Sequence, residues 1–337
     1  MSDSINVSRK DAEFTEINDS GEYHAPWWLP GGHLQTIYAR ALAKNYRVAF
    51  RRERWETPDQ DFIDLDWLGE EEGDAKLVVL FHGLEGGSQS HYARALMEKV
   101  RDHGWRGVVP HFRGCSGEAN RLARSYHSGD SREIDWILRR LKSENPRRAI
   151  CVVGVSLGGN MMLKWLGEEG VAARSIVERT VAVSVPMDLA AAARVLDSGV
   201  KRLFYTSHFL NLLRPMALAK IAAHQLAIDA RAIRASLTFR EFDDHFTAPV
   251  HGFKDASDYW TRASSKPWLR EIKVPTLLIN ARNDPFLPES ALPSAAEVSA
   301  AVTLEYPKSG GHVGFVSGNF PGNLNWLAER IIEFFVS

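Results

Sequence analysis

The chain has 337 residues, 45% of them hydrophobic and 25% charged, enough for a large folded core. Its formal net charge is −1, which gives nucleic acid no electrostatic footing as a partner. Two cysteines, Cys115 and Cys151, supply neither a disulfide framework nor a metal set, and no run of about 18 apolar residues offers a membrane span.

Residues 1 to about 22 are polar and acid-rich and lack the basic-then-apolar order of a signal peptide. They read as a flexible tail on a soluble, cytoplasmic chain. Loose contact with a membrane surface stays open, and the oligomeric state is not written in the pattern. Residues 23–45 form an N-terminal arm. In it Pro26-Trp27-Trp28-Leu29-Pro30-Gly31-Gly32 leads into a helical pattern from His33 to Lys44. Val48–Trp55 and Phe62–Leu68 read as two strands around the turn signal Thr57-Pro58-Asp59.

A strand–helix rhythm follows. Leu77–Phe81 is a continuous apolar run, as in a strand buried on both faces. His91–His103 has helical periodicity and stops at Gly104. Gly107–Pro110 is a short strand, Arg113–Gly117 a loop, and Ser131–Lys142 a helix. Ala149–Gly154 is a second buried strand, Leu157–Leu166 a helix and Thr180–Val185 a strand. The rhythm breaks at about 189–269, a helix-rich, aromatic stretch that reads as a cap inserted over the sheet. Strands Val274–Asn280 and Val302–Tyr306 and a helix over Asn323–Phe335 complete the chain. The expected fold is one α/β domain over 1–337: a mostly parallel central sheet, helices on both faces and a helical cap.

Gly154-Val155-Ser156-Leu157-Gly158 fits G-x-S-x-G. The string alone is weak; its setting, after a buried strand and before a helix, is that of the nucleophile elbow of an α/β-hydrolase fold. Glycines flanking Ser156 remove side chains that so tight a turn cannot hold. A serine hydroxyl needs a base, and this fold supplies one in the order Ser, acid, His. Asp284 follows the next-to-last strand and His312, between glycines, follows the last. In this arrangement His312 takes the proton of Ser156 and Asp284 fixes the imidazole tautomer. Asp188, Asp243 and Asp244 are alternative acids, less well placed in the strand order. Backbone N–H groups of Leu157, after the nucleophile, and Leu84, in the loop His82–Gly87, are the expected oxyanion donors. His82 reads as a loop-ordering residue.

His91, His103, His111, His127 and His208 lack the paired spacing of a metal site, and no phosphate-binding loop occurs. No cofactor or metal is expected. Trp27, Trp28, Phe204, Tyr205, Phe209 and Trp260 read as core, those in the cap also as lining for an acyl pocket.

Five segments also carry a family resemblance: Gly31–Thr36, His82–Gly86, Phe112–Gly117, Tyr126–Asp130 and Gly154–Asn160. With these the chain resembles the YheT-like hydrolases, the α/β-hydrolase-4 family, over most of its length after Pro26. The resemblance implies carboxylic-ester hydrolysis through Ser156, Asp284 and His312 on a small acyl-ester substrate. It leaves acyl transfer through the same acyl-enzyme, or a binding protein that has lost the chemistry, as alternatives. Arg113 and Tyr126–Asp130 either orient a polar part of the substrate or brace loops.

Overall fold

A computed structural model describes residues 22–70 and 73–337. The expected tail lies outside the described residues, Glu22 excepted. Eight strands form one sheet: β1 Arg51–Glu56, β2 Phe62–Leu68, β3 Leu77–Phe81, β4 Arg106–Pro110, β5 Ile150–Val155, β6 Arg179–Val183, β7 Thr276–Ile279 and β8 Val302–Glu305. Their spatial order is β1-β2-β4-β3-β5-β6-β7-β8. β1 pairs antiparallel with β2, and β2 antiparallel with β4. All other pairings are parallel.

The apolar runs alternate between faces, because successive strand side chains point to opposite sides. Leu77, Val79 and Phe81 of β3 join Val152 of β5 under helices α3 (Ser131–Glu144) and α4 (Leu157–Glu169). Val78 and Leu80 join Cys151, Val153 and Val155 on the other face, against α2 (His91–Asp102) and the closing helix Asn325–Val336. That double burial is why these strands carry no polar alternation.

Between β6 and β7 the chain forms only helices, the longest being Ser207–His224. Two segments there, Arg202–Thr206 and Asp243–Thr247, are π-helical turns, which helical periodicity does not reveal. The expected strand Thr180–Val185 stops early, at Val183, because Ser184 takes φ 51° and turns the chain out of the sheet. The expected core role fails for two aromatics: Trp27 is 89% exposed and Phe204 is 68% exposed.

Candidate functional site

The end of β5 meets the start of α4 at Ser156, which has φ 52° and ψ −118°. This backbone half-space is rare for a residue with a Cβ and stores strain. A Cβ on Gly154 would stand 2.6 Å from Gly159 Cα, and one on Gly158 2.6 Å from the Phe81 carbonyl oxygen. Both clashes are with backbone, so no side-chain adjustment relieves them.

The loops after β7 and β8 bring Asp284 and His312 to this turn. His312 Nε2 lies 2.9 Å from Ser156 Oγ, and His312 Nδ1 lies 2.9 Å from Asp284 Oδ2. The Asp284 side chain is fully buried, and its other oxygen accepts the Phe286 N–H at 2.8 Å. The Phe286 ring stacks on the imidazole, centroids 4.0 Å apart and planes 17° apart. Asp188 instead caps the helix Leu189–Leu196, accepting from the Ala191 N–H. Asp244 accepts the Ala256 N–H, and Asp243 sits across the cavity described below.

The histidine loop is held on every side. Its 312 N–H donates to Thr36 Oγ1 at 2.8 Å, and Thr36 in turn donates to the Gly32 carbonyl. The Val313 N–H donates to Ser184 Oγ at 3.0 Å. The Val313 carbonyl accepts from His91 Nε2 at 2.8 Å, and burial pushes the His91 imidazole down to about 4. His91 is therefore neutral at physiological pH, with its single proton committed to that carbonyl. The fully buried Gln35 accepts the Val316 N–H at 2.9 Å. The Gly31–Thr36 segment thus opens helix α1 (Gly32–Leu42) directly against the histidine loop. It also touches the acid loop, because a Cβ on Gly32 would meet the Asn283 carbonyl and stand 3.3 Å from Pro285 Cδ.

The loop after β3 lies against Ser156: a Cβ on Gly83 would be 3.3 Å from Ser156 Cβ. The Gly83 N–H donates to Tyr92 Oη at 2.9 Å and the Glu85 N–H to Tyr126 Oη at 3.0 Å. Between them the Leu84 N–H has no acceptor among the described residues, and neither has the Leu157 N–H in the first turn of α4. His82 is fully buried. It donates from Nδ1 to the Gly83 carbonyl and accepts the Phe112 N–H at Nε2. Burial lowers its imidazole to about 3, so it orders this loop as a neutral ring.

The other motif segments act as braces. Arg113 is buried and paired with Asp59, Asp61 and Glu133. Tyr126 donates to Glu85 Oε1 at 2.6 Å and so pins the Leu84 loop. Asn160 Nδ2 donates to the carbonyls of Ser128 and Ala263, and its Oδ1 accepts the Ser265 N–H. One side chain of α4 thereby ties the Tyr126–Asp130 segment to the helices over the sheet. Sequence reasoning singled out these segments but not Phe286, Tyr92, Ser184 or the supporting bonds of Thr36 and His91. Their signal lies in spatial neighbourhood, which spacing does not carry.

Ser156, Leu84, Leu157 and His312 line one cavity. Its remaining walls are mostly apolar and come largely from the β6–β7 helices, including Leu189, Leu196, Phe209, Phe239 and Trp260. Besides Ser128 and the Tyr259 hydroxyl, the exception is Asp243. Its carboxyl accepts from Thr247 Oγ1 at 2.6 Å and Trp260 Nε1 at 2.8 Å. Burial nevertheless raises its pKa to about 7, against the lowering effect of those two bonds. The unfolded chain releases this proton near 3.8, whereas the native state holds it until about 7. Stability should therefore fall as pH rises through that window, and Asp243 burdens the native state above it. Asp243→Asn can still accept from Trp260 and can donate to Thr247. Its melting temperature should exceed that of the unsubstituted protein at pH 8, with the gain shrinking toward pH 4, as thermal denaturation at both values would read.

Comparison with known proteins agrees with this architecture. The model of the alpha/beta hydrolase fold family matches residues 76–318. YheT of Escherichia coli (strain K12) is 39% identical over 321 residues, 94% of this chain and 93% of YheT. Phospholipase ABHD3 of Homo sapiens is 26% identical over 93% of this chain and 78% of its own length. The solved structure of the Pyrococcus furiosus esterase Pf2001 superposes with a TM-score of 0.55 at 17% identity, over 87% of this chain and 94% of that one, a likeness of fold. The chain belongs to the alpha/beta hydrolase fold family, among the esterase/lipase-like hydrolases that include YheT.

Proposed function

We propose that the protein hydrolyses carboxylic esters through an acyl-enzyme on Ser156, with His312 as general base and acid and Asp284 as the orienting carboxylate. One observation carries this reading: Ser156 Oγ, at a strained strand–helix turn, lies 2.9 Å from an imidazole whose other nitrogen is 2.9 Å from a buried carboxylate. The acyl-transfer alternative uses the same groups and differs only in the acceptor.

In the first half-reaction Ser156 Oγ attacks the ester carbonyl carbon while its proton passes to His312 Nε2. The carbonyl oxygen becomes an oxyanion, and the unengaged N–H groups of Leu84 and Leu157 are the donors that receive it. His312 returns the proton to the departing alkoxide as the carbon–oxygen bond breaks, leaving the acyl group on Ser156. Water then loses a proton to His312 and attacks the acyl carbon, and the proton ends on Ser156 Oγ. The His312–Asp284 contact supports this sequence by stabilising the imidazolium at each transfer. The apolar cavity beside Ser156 supports an acyl chain as the group retained.

The test is a fluorophosphonate probe, followed by peptide mass spectrometry of the labelled protein. The expected adduct is on Ser156 alone, and heat-unfolded protein is not labelled. An intact, folded protein that takes no label, or takes it on another serine, overturns the assignment and favours a binding protein on a hydrolase fold.

A further inference from the structure

A cleft approaches Ser156 and His312 between α1 and the helix Ser207–His224. Thr36, Arg40, His208 and Leu212 line that approach. Two contacts seam the elements together. His33 Nδ1 lies 2.8 Å from Tyr205 Oη, with the two rings stacked 9° from parallel. Arg40 Nη1 lies 3.4 Å from His208 Nε2.

Along this seam the chain leaves large apolar side chains in the open. Leu34 is 50% exposed, Ile37 59%, Leu203 66%, Phe204 68% and Leu212 42%. Ile37 falls between His33 and Arg40 on α1, and Leu203, Phe204 and Leu212 bracket Tyr205 and His208. Single exposed hydrophobics are ordinary, but a group of them at the mouth of a reaction cleft marks an interaction surface.

Charge identifies the partner. The protein as a whole is balanced, with 41 Lys and Arg against 42 Asp and Glu. Yet residues 23–50 and 198–228, the two stretches that build the seam, hold seven Lys and Arg and no Asp or Glu. Lys220 is buried, but Arg40, Lys44, Arg47 and Arg202 are exposed and Lys201 is half-buried. Exposed apolar side chains on two stretches that carry cations and no acidic residue complement an anionic lipid–water interface. Among the described residues no helix is long and apolar enough to cross a membrane, so such contact lies at the surface.

We propose that this seam is a lipid-docking face: α1 and the Lys201–Leu212 segment seat on an anionic bilayer surface, and an ester leaves that surface between them to reach Ser156. The ester-hydrolysis step rests on the function proposed above; the docking itself does not.

The experiment is co-sedimentation of the full-length protein with phosphatidylcholine vesicles, with and without phosphatidylglycerol, beside turnover of a water-soluble short-chain ester. The protein should pellet with the phosphatidylglycerol vesicles and much less with phosphatidylcholine alone. Leu203→Ser with Phe204→Ser should weaken vesicle binding about tenfold or more, since both exposed apolar side chains leave water on docking. Its turnover of the soluble ester should stay within about twofold, because neither side chain lines the cavity at Ser156. Lys201→Glu with Arg202→Glu should cost about tenfold on the anionic vesicles and little on phosphatidylcholine. Unsubstituted protein that stays in the supernatant, or variants that bind as well as it does, overturn the proposal. So does a dimer that Leu203→Ser with Phe204→Ser dissociates, which assigns the face to a second copy. Vesicle binding without turnover of the soluble ester upholds docking and overturns the esterase reading; turnover without vesicle binding does the reverse.

Discussion

On the proposed mechanism, replacing Ser156 with alanine should lower kcat/KM for a carboxylic ester by about 10⁵-fold or more, to the residual catalysis left by binding and oxyanion donors. The reason is that no second nucleophile stands within hydrogen-bond reach of His312 among the described residues: its two ring nitrogens face Ser156 and Asp284. Stability should behave differently from activity. Alanine keeps the Cβ, so it keeps the strain of φ 52° and leaves the melting temperature close to its original value. Ser156→Gly removes the same hydroxyl but also the Cβ that makes this conformation costly. Relief of strain of about 1–3 kcal/mol then competes with the extra freedom glycine gives the unfolded chain, about 0.5–1 kcal/mol. The glycine variant should therefore be inactive and the more thermostable of the two. Steady-state kinetics and thermal denaturation of both variants check the pair of expectations. An active Ser156→Ala protein would end the catalytic reading.

Asp284→Asn should cost about 10⁴-fold in kcat at neutral pH while leaving the fold intact. The argument is local. Oδ1 of Asp284 accepts the Phe286 N–H at 2.8 Å, so an asparagine here keeps its oxygen on that side. Its amide nitrogen then faces His312 Nδ1. That nitrogen must become an acceptor, which moves the ring proton to Nε2, opposite Ser156 Oγ. An imidazole that carries its proton on Nε2 cannot take another from the serine. The Phe286 ring, stacked at 4.0 Å, opposes the ring rotation that would offer an escape. The check is kcat against pH. The loss should shrink at high pH, where hydroxide replaces the missing base, and a loss below about tenfold at neutral pH would mean that another carboxylate orients the ring.

Much of the site was legible in the linear chain because a parallel α/β sheet is a strict addressing system. Each buried strand reads as an apolar run, and the loop at its C-terminal end lies on one edge of the sheet. A serine after β5, an acid after β7 and a histidine after β8 were therefore bound to be neighbours once β5, β6, β7 and β8 lay side by side. The glycines around Ser156 were legible for the same reason, since the tightness of a strand–helix turn is a local matter.

Other features depended on packing alone. Thr36 and Gln35 sit 276 and 281 residues before the backbone groups they hold, and no periodicity links α1 to that loop. Phe286 follows Asp284 by two residues, but its stacking on His312 is set by how the loops after β7 and β8 fold over one another. Trp27, in a turn ahead of α1, and Phe204, in a π-helical turn, depart from the expected core role because an aromatic residue carries no mark of which way its backbone faces. In the 198–228 stretch, the π-helical turn at Arg202–Thr206 leaves Leu203 and Phe204 exposed beside a half-buried Tyr205.

The sequence by itself determined the strand–helix order, the tight turn at Ser156 and the three positions in which Ser156, Asp284 and His312 stand, because these follow from local sterics and from the polarity of a parallel sheet. Only the tertiary structure decided the distances between them, the clamp of α1 on the histidine loop, the shape of the apolar cavity with Asp243 in its wall, and the open seam of α1. Those depend on contacts between segments far apart in the chain, where the energy lies in complementarity of surfaces rather than in any run of residues.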